Sequence, residues 1–253
     1  HLRPRRQRQM CIRDRLEPGK SSGFEIPIDG TTEQLLQLTL QVEGDCLEMD
    51  NSIVVPLPDA QPVVAARVGP TDSADPFTHL ALQSLVKEGE LLIWSAEPDK
   101  WPIPDIDVAI FDSWLPEEWP SDIPAIVINP PRPLGPIQVV PLQGSIPHRD
   151  IRVANEAHPV LFRVSSSRLA LTQTSVFNSQ GSLEPLWFAG NEPVLAAGAV
   201  NGQRIVLMGF SPQLSERLPM TASFPLMIGN AIYWCAEGDE ADGHAAVRVH
   251  ERQ

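Results

Sequence analysis

The sequence predicts an α/β domain on a doubly wound, mostly parallel sheet, preceded by the last strands of a β-sandwich. Three observations predict it. Residues 60–238 alternate short apolar runs with stretches of helical periodicity. Several runs, "PVVAARVG", "DVAIFDSW" and "AIVINPP", are apolar throughout, as strands buried on both faces of a parallel sheet must be. Residues 21–58 instead alternate with period two: Leu36, Leu38, Leu40 and Val42 are separated by polar residues, then a Gly44-Asp45 turn leads to "SIVVPL". A lone hairpin is marginal in water, so this segment reads as the end of a sandwich whose other strands lie upstream.

The elements follow in order. The opening "HLRPRRQRQMCIRDR" holds six of the nineteen basic residues, which leaves thirteen basic against thirty-one acidic residues in the rest of the chain. Its "QMCIRDR" resembles translated adapter read-through, so residues 1–20 are read as a non-native or disordered basic tail and the chain as a fragment. In the α/β part, "PVVAARVG" is the first strand. Phe77, Leu80, Ala81 and Leu85 then recur at helical spacing, with Ser73 or Asp75 as N-cap before Pro76. "ELLIWSA", "DVAIFDSW" and "AIVINPP" are further strands, and the chain after Pro130 is Pro-rich and irregular. Asn201-Gly202 supplies the positive φ values of a type I′ turn inside "PVLAAGAVNGQRIVLMGF", which predicts a hairpin.

The last predicted element is an apolar helix from Phe224 to Ala236, thirteen residues, or ~20 Å against a ~30 Å hydrocarbon core. It is therefore a core helix, with Phe224, Met227, Ile228, Ala231, Ile232 and Cys235 on one face, Thr221 or Ser223 as its cap and Pro225 in its first turn. Asn230 falls inside it. A buried amide needs partners, and the backbone of the loop "SPQLSERLPM" is expected to supply them. Residues 239–253 form a polar tail.

Composition excludes some functions. A net charge of −13 disfavours nucleic acid and anionic membrane surfaces as partners of the body. Three cysteines without C-x-x-C spacing give neither a disulfide framework nor a zinc site, and no metal or cofactor is expected. The turn "VGPTDSADP" lacks a dinucleotide or phosphate-loop motif, and no G-x-S-x-G elbow is present. Cys235 reads as an inert buried thiol. His148, Asp150, Glu156 and His158 in "PHRDIRVANEAHP" match no ligand signature and read as a solvated loop. Ligands of such folds bind beyond the strand carboxyl ends. Asp112, Trp114, Asn129 and Ser211 sit there and are the candidate ligand or partner contacts, with Asp112 read first as a turn cap; Asn230 is structural.

In order, these segments resemble the C-terminal half of the Bat-type (aerotolerance-operon-like) bacterial membrane proteins, over roughly residues 35–236. The stretches that carry the resemblance are "GDCLEMDNSIVVPLP", "DVAIFDSWLPEEWP", "AIVINPP", "AHPVLFRV" and above all "GQRIVLMGFSPQLSERLPMTASFPLMIGNAIYW". Corresponding positions are Asp45, Leu47, Asp50, Asn51, Asp112, His158, Pro159, Gly209, Phe210, Phe224, Pro225 and Asn230. The resemblance implies a parent with a membrane anchor, a von Willebrand factor A domain, a β-sandwich and a class I glutamine amidotransferase-like domain, here residues 60–238. It also implies protein partners, contact with the membrane only through the upstream part, and an extracytoplasmic position. The nucleophilic Cys and the His-x-Glu pair of the amidotransferases are missing. The expectation is a non-catalytic interaction or scaffold domain; the alternative is a degenerate hydrolase-like or small-ligand-binding domain using the strand-end crevice.

Overall fold

The computed structural model describes residues 35–39, 51–56, 62–71, 75–87, 89–142, 151–165, 171, 174–177, 183–215 and 218–237. The basic opening, the tail from 239, Cys11, Cys46, Ser73, His148 and Asp150 lie outside the described residues. The chain forms two units, and the described residues up to Pro56 belong to the first and those from 62 to 237 to the second. In the first, β1 (Leu35–Thr39) pairs antiparallel with β2 (Ser52–Pro56), Leu36 opposite Val55. Leu36 and Leu38 are half-buried, while Leu35, Ile53 and Val54 are exposed.

The second unit is a mixed α/β domain on an eight-stranded sheet. Its strands are β3 (Val63–Val68), β4 (Leu91–Ala96), β5 (Val108–Asp112), β6 (Ala125–Ile128), β8 (Ile151–Val153), β10 (Glu184–Ala189), β11 (Glu192–Val200) and β12 (Gln203–Met208). They lie in the order β4-β3-β5-β6-β12-β11-β10-β8. The first five are mutually parallel; β11, β10 and β8 extend the sheet antiparallel. A separate pair, β7 (Val139–Leu142) and β9 (Thr174–Phe177), is antiparallel. Asn201 (φ 52°) and Gly202 (φ 81°) make the predicted two-residue turn between β11 and β12. β7, β8, β9 and β10 arise in the stretch the sequence left irregular.

The central strands alternate cleanly between two cores. Ala65, Ile110, Ile126, Val206 and Met208 face the helices α1 (Pro76–Leu85) and α2 (Ser223–Ala236), which share their core with Leu82, Phe224, Met227 and Ile232. Val68, Ala109, Phe111, Val127, Ile205 and Leu207 face the other way. There the expected second helical layer is replaced by irregular chain, because the connections at 97–107 and 113–124 are short and rich in proline. Tryptophan supplies the thickness instead. Trp101, Trp114 and Trp119 surround Phe111 at ring centroid distances of 5.0, 6.0 and 6.3 Å. Gln203 on β12 accepts the Trp119 indole N–H at 2.7 Å and pins that loop to the sheet.

All six apolar residues expected on one face of α2 are buried. The fourteen-residue helix measures ~21 Å, and no helix among the described residues is long and apolar enough to cross a membrane. Two details differ from expectation. Neither Thr221 nor Ser223 caps α2: Thr221 Oγ1 donates to Leu218 O at 3.0 Å, and Ser223 Oγ is spent on the Ser165 backbone, because the chain enters through Ala222 in helical conformation. Asn230 is buried and bound to backbone, but the carbonyls its Nδ2 reaches are those of Val160 (3.2 Å) and Phe162 (2.8 Å); Glu216 and Arg217 of the expected loop lie outside the described residues. The short 3₁₀ turn Pro159–Leu161 lies against α2 and takes that role.

Replacing Asn230 by Leu strands the buried Val160 carbonyl and the partly buried Phe162 carbonyl and is expected to cost about 1–3 kcal/mol in urea unfolding. A neutral substitution would mean that apolar packing alone seats α2.

Candidate functional site

The chain runs from β3 through α1 to β4 on one side and then returns past β3 to β5 on the other. The carboxyl ends of β3 and β5 are therefore the place where strand order reverses, the position at which such folds bind ligands. Arg67 near the end of β3 and Asp112 at the end of β5 both fall on the helix-facing parity of their strands, after Ala65 and Ile110. They meet there. Arg67 Nε donates to Asp112 Oδ2 at 2.9 Å, and Nη2 lies 2.8 Å from the same oxygen. That second approach has ion-pair distance without hydrogen-bond alignment, so buried Nη2 has no hydrogen-bond partner among the described residues. Arg67 is 3% exposed and Asp112 1%, so neither charge has water to turn to.

Gly69 makes this closeness possible. A Cβ on it would stand 2.3 Å from the Asp112 carbonyl oxygen, so only glycine lets the chain leaving β3 pass that close to β5. Burial pushes the Asp112 carboxyl above its ordinary range; Arg67 pulls it back, and the neighbouring Asp75 adds to the push.

Asp75 is the observed N-cap of α1, with Pro76 following. Its Oδ1 accepts Phe77 N–H at 2.8 Å and Thr78 N–H at 3.3 Å; its Oδ2 accepts Gln213 N–H at 2.8 Å and the Ser211 hydroxyl. One carboxylate thus caps the helix and ties down the loop after β12. A third group lies at the rim. Ser113 (φ 55°) and Asn129 (φ 48°) end adjacent strands in left-handed conformations and are half-buried. Asn129 Nδ2 donates to Ser113 Oγ at 3.2 Å, and Ser113 Oγ to Asp112 Oδ1 at 3.3 Å.

Of the sequence candidates, Asp112 and Asn129 come together through Ser113. Asp112 is an ion-pair partner rather than a turn cap. Ser211 is buried beside Asp75 and joins Asp112 only through the field of that carboxylate. Trp114 does not join the cluster, because the left-handed turn at Ser113 sends its ring to the opposite face against Phe111. Arg67 and Asp75 were missed as site residues, although a lone arginine in "VVAARV" facing a lone aspartate in "VAIFD" is a readable signal of a buried pair.

At the opposite ends of the strands, the expected solvated loop is half-built into the fold. Glu156 is exposed, but His158 is half-buried, edge-on to Trp234 at 5.2 Å, and its Nδ1 accepts Val160 N–H at 3.2 Å. Burial lowers its pKa, with Glu184 opposing and Arg204 assisting. Among the described residues no three His, Cys, Asp or Glu side chains gather as metal ligands would.

No known family matches the chain, and no curated protein does. Among solved structures it is similar to the cytoplasmic protein STM3548 of Salmonella typhimurium, at 11% identity and TM-score 0.49, over 68% of this chain and 98% of that one. It is similar to a Thermoplasma acidophilum protein whose name refers it to GMP synthase, at 10% identity and TM-score 0.43, over 73% and 99%. It is also similar to the cytoplasmic protein STM1381 of Salmonella typhimurium LT2, at 9% identity and TM-score 0.42, over 80% and 94%.

Arg67→Met leaves Asp112 buried and unpaired and is expected to cost about 3–5 kcal/mol, most of it recovered in the Arg67→Met, Asp112→Leu double variant. Equal losses in single and double variants would show that the pair is not what holds this crevice.

His158 gives a pH effect of definite sign. Its folded pKa lies below the ordinary 6.5, so the unfolded chain takes up the proton first; stability is full above about 6.5 and falls as pH drops towards the folded value. Between pH 7 and 5 the wild type should lose stability faster than His158→Gln. Parallel curves would remove His158 from the acid response.

Proposed function

We propose that this domain is a non-catalytic interaction module with an amidotransferase-like fold, carried outside the cytoplasm by a Bat-type, membrane-anchored parent. The observation that carries the non-catalytic reading is at the end of β6. α/β hydrolases put their nucleophile on a strained turn at the end of a central strand and use the next residue's N–H to hold the oxyanion. At the end of β6 the strained residue is Asn129, which has no nucleophile, and the next is Pro130, which has no N–H. At the end of β5 it is Ser113, but its hydroxyl donates to Asp112 Oδ1 and accepts from Asn129 Nδ2, with no hydrogen bond to a histidine among the described residues.

The remaining chemistry is turned inward. Asp112 answers Arg67, and Asp75 answers four donors. Cys235 is fully buried in α2, where burial pushes its thiol far up and Arg204 offsets this only in part. A group already satisfied by its own fold is a poor acid, base or nucleophile, and a fold kept without reactive groups serves as a surface.

One observation favours the alternative of a small-ligand site. Ser113 and Asn129 are left-handed, hydrogen-bonded to each other and half-exposed at the crevice rim, where backbone strain is often functional.

Purified protein is expected to show no glutaminase or esterase turnover, and Cys235 to resist iodoacetamide at neutral pH until the chain is unfolded. Turnover that disappears in Ser113→Ala would overturn the non-catalytic reading. Metabolite-induced amide shifts centred on Ser113 and Asn129, without turnover, would favour the ligand-site alternative.

A further inference from the structure

We propose that the open edge of β4 is a docking site for an extended, basic segment of a partner protein, which adds there as a further strand beside Trp94. This rests on the interaction reading above and names its surface and the partner's chemistry. β4 ends the sheet and pairs with β3 alone among the described strands. On that inner side the Glu90 and Ala96 carbonyls accept from Val63 and Gly69, so Leu91, Ile93 and Ser95 turn their backbone groups outward. Leu91 is taken by a bridge with Lys87, which exchanges N–H to O bonds of 3.1 and 2.9 Å with it. Ile93 and Ser95 face the open edge.

The side chains at that edge are those of an interface. Leu92 and Trp94 stand on the tryptophan-covered side of the sheet, in register with Val64 and Ala66. The covering segment 97–107 packs around Phe111 and leaves them 36% and 50% exposed. An edge strand "LLIWSA" with no proline, lysine or bulge lacks the devices that keep edges apart, and half-exposed tryptophan is a hallmark of contact surfaces.

Charge decides the occupant. The segment leaving β4 presents Glu97, Asp99 and Asp105, all exposed, against Lys100, which pairs with Asp99 at 3.3 Å; Asp107 is turned to the β5 side of β3, where its Oδ2 accepts Val64 N–H. At the other end of β4, Lys87 is tied to Glu90. A second copy of a chain with net charge −13 brings like charges together across this edge. A strand carrying Lys or Arg meets the carboxylates and can lay a cation over the Trp94 ring. Main-chain bonds to Ile93 and Ser95 then give affinity, and the charges select the partner.

The test pans a random peptide display library against the full chain. Enriched peptides should alternate β-formers with Lys or Arg, protect the Ile93 and Ser95 amides from hydrogen exchange, and bind more weakly as salt rises. Trp94→Ser should weaken them about tenfold or more. Ser95→Pro, which removes an outward N–H and leaves the ladder to β3 whole, should do the same with an unchanged Tm. Enrichment of acidic, neutral or helix-patterned peptides, protection elsewhere, or no enrichment would overturn the proposal. So would concentration-dependent protection of the edge with a doubled mass, which identifies a second copy. Peptides captured on another face would sink this inference and leave the interaction function standing; turnover in the preceding assays would sink that function instead.

Discussion

Two charges that have been taken out of water must answer each other, and the Arg67–Asp112 pair sets the terms for everything around it. Because the aspartate ends β5 and the arginine comes one position before the end of β3, the two strand ends must stay close where the strand order would open them. Gly69 supplies the room. Asp75, a second carboxylate in the same low-dielectric region, adds to the push on Asp112; it is surrounded by four donors drawn from α1 and the loop after β12. The loop and helix positions at this end are therefore those in which both carboxylates find partners. Gly209 repeats the arrangement at β12, where a Cβ would stand 2.0 Å from the Ser175 carbonyl oxygen and keep β9 from crossing.

The proposed non-catalytic reading rests on this inward commitment. A catalytic carboxylate or thiol must be incompletely satisfied in the resting state, so that substrate completes its shell. At the strand ends here, the Ser113–Asn129 rim has polar groups that are both half-exposed and weakly engaged, with bonds of 3.2 and 3.3 Å. The buried network reads as a lock on the fold, and the rim is where the proposed small-ligand alternative would sit.

The elements that were legible in the sequence are those whose signal is local. The apolar runs of β3, β5, β6 and β12, the Asn201-Gly202 turn and the buried face of α2 each carry their period or turn residue within a few positions. β10 was missed although "EPLWFAGNEPVLAAG" holds two apolar runs around a Gly190-Asn191 turn; two prolines lowered its apparent strand character, and edge-side bulging accommodates them. The Val160 and Phe162 carbonyls that Asn230 binds were not foreseen, because they lie some seventy positions away, at the 3₁₀ turn Pro159–Leu161 and just after it. Arg67 with Asp112 is separated by forty-five positions, and only the pairing of β3 with β5 brings them together.

The two faces of the sheet solve one packing problem with different materials. Helices bury their own backbone polarity, so the face under α1 and α2 can accept long apolar side chains and a buried ion pair in a uniform layer. Irregular, proline-rich chain offers fewer apolar side chains per unit length, so the other face needs wide rings and a fixing group such as Gln203 to close over Phe111. A layer of rings and prolines has no regular period and cannot be extended sideways by another helical turn. It ends where its last tryptophan ends, and β4 lies past that limit, with Trp94 uncovered and two outward backbone positions. The exposure of that edge thus follows from the choice of tryptophan over helix for one face of the sheet.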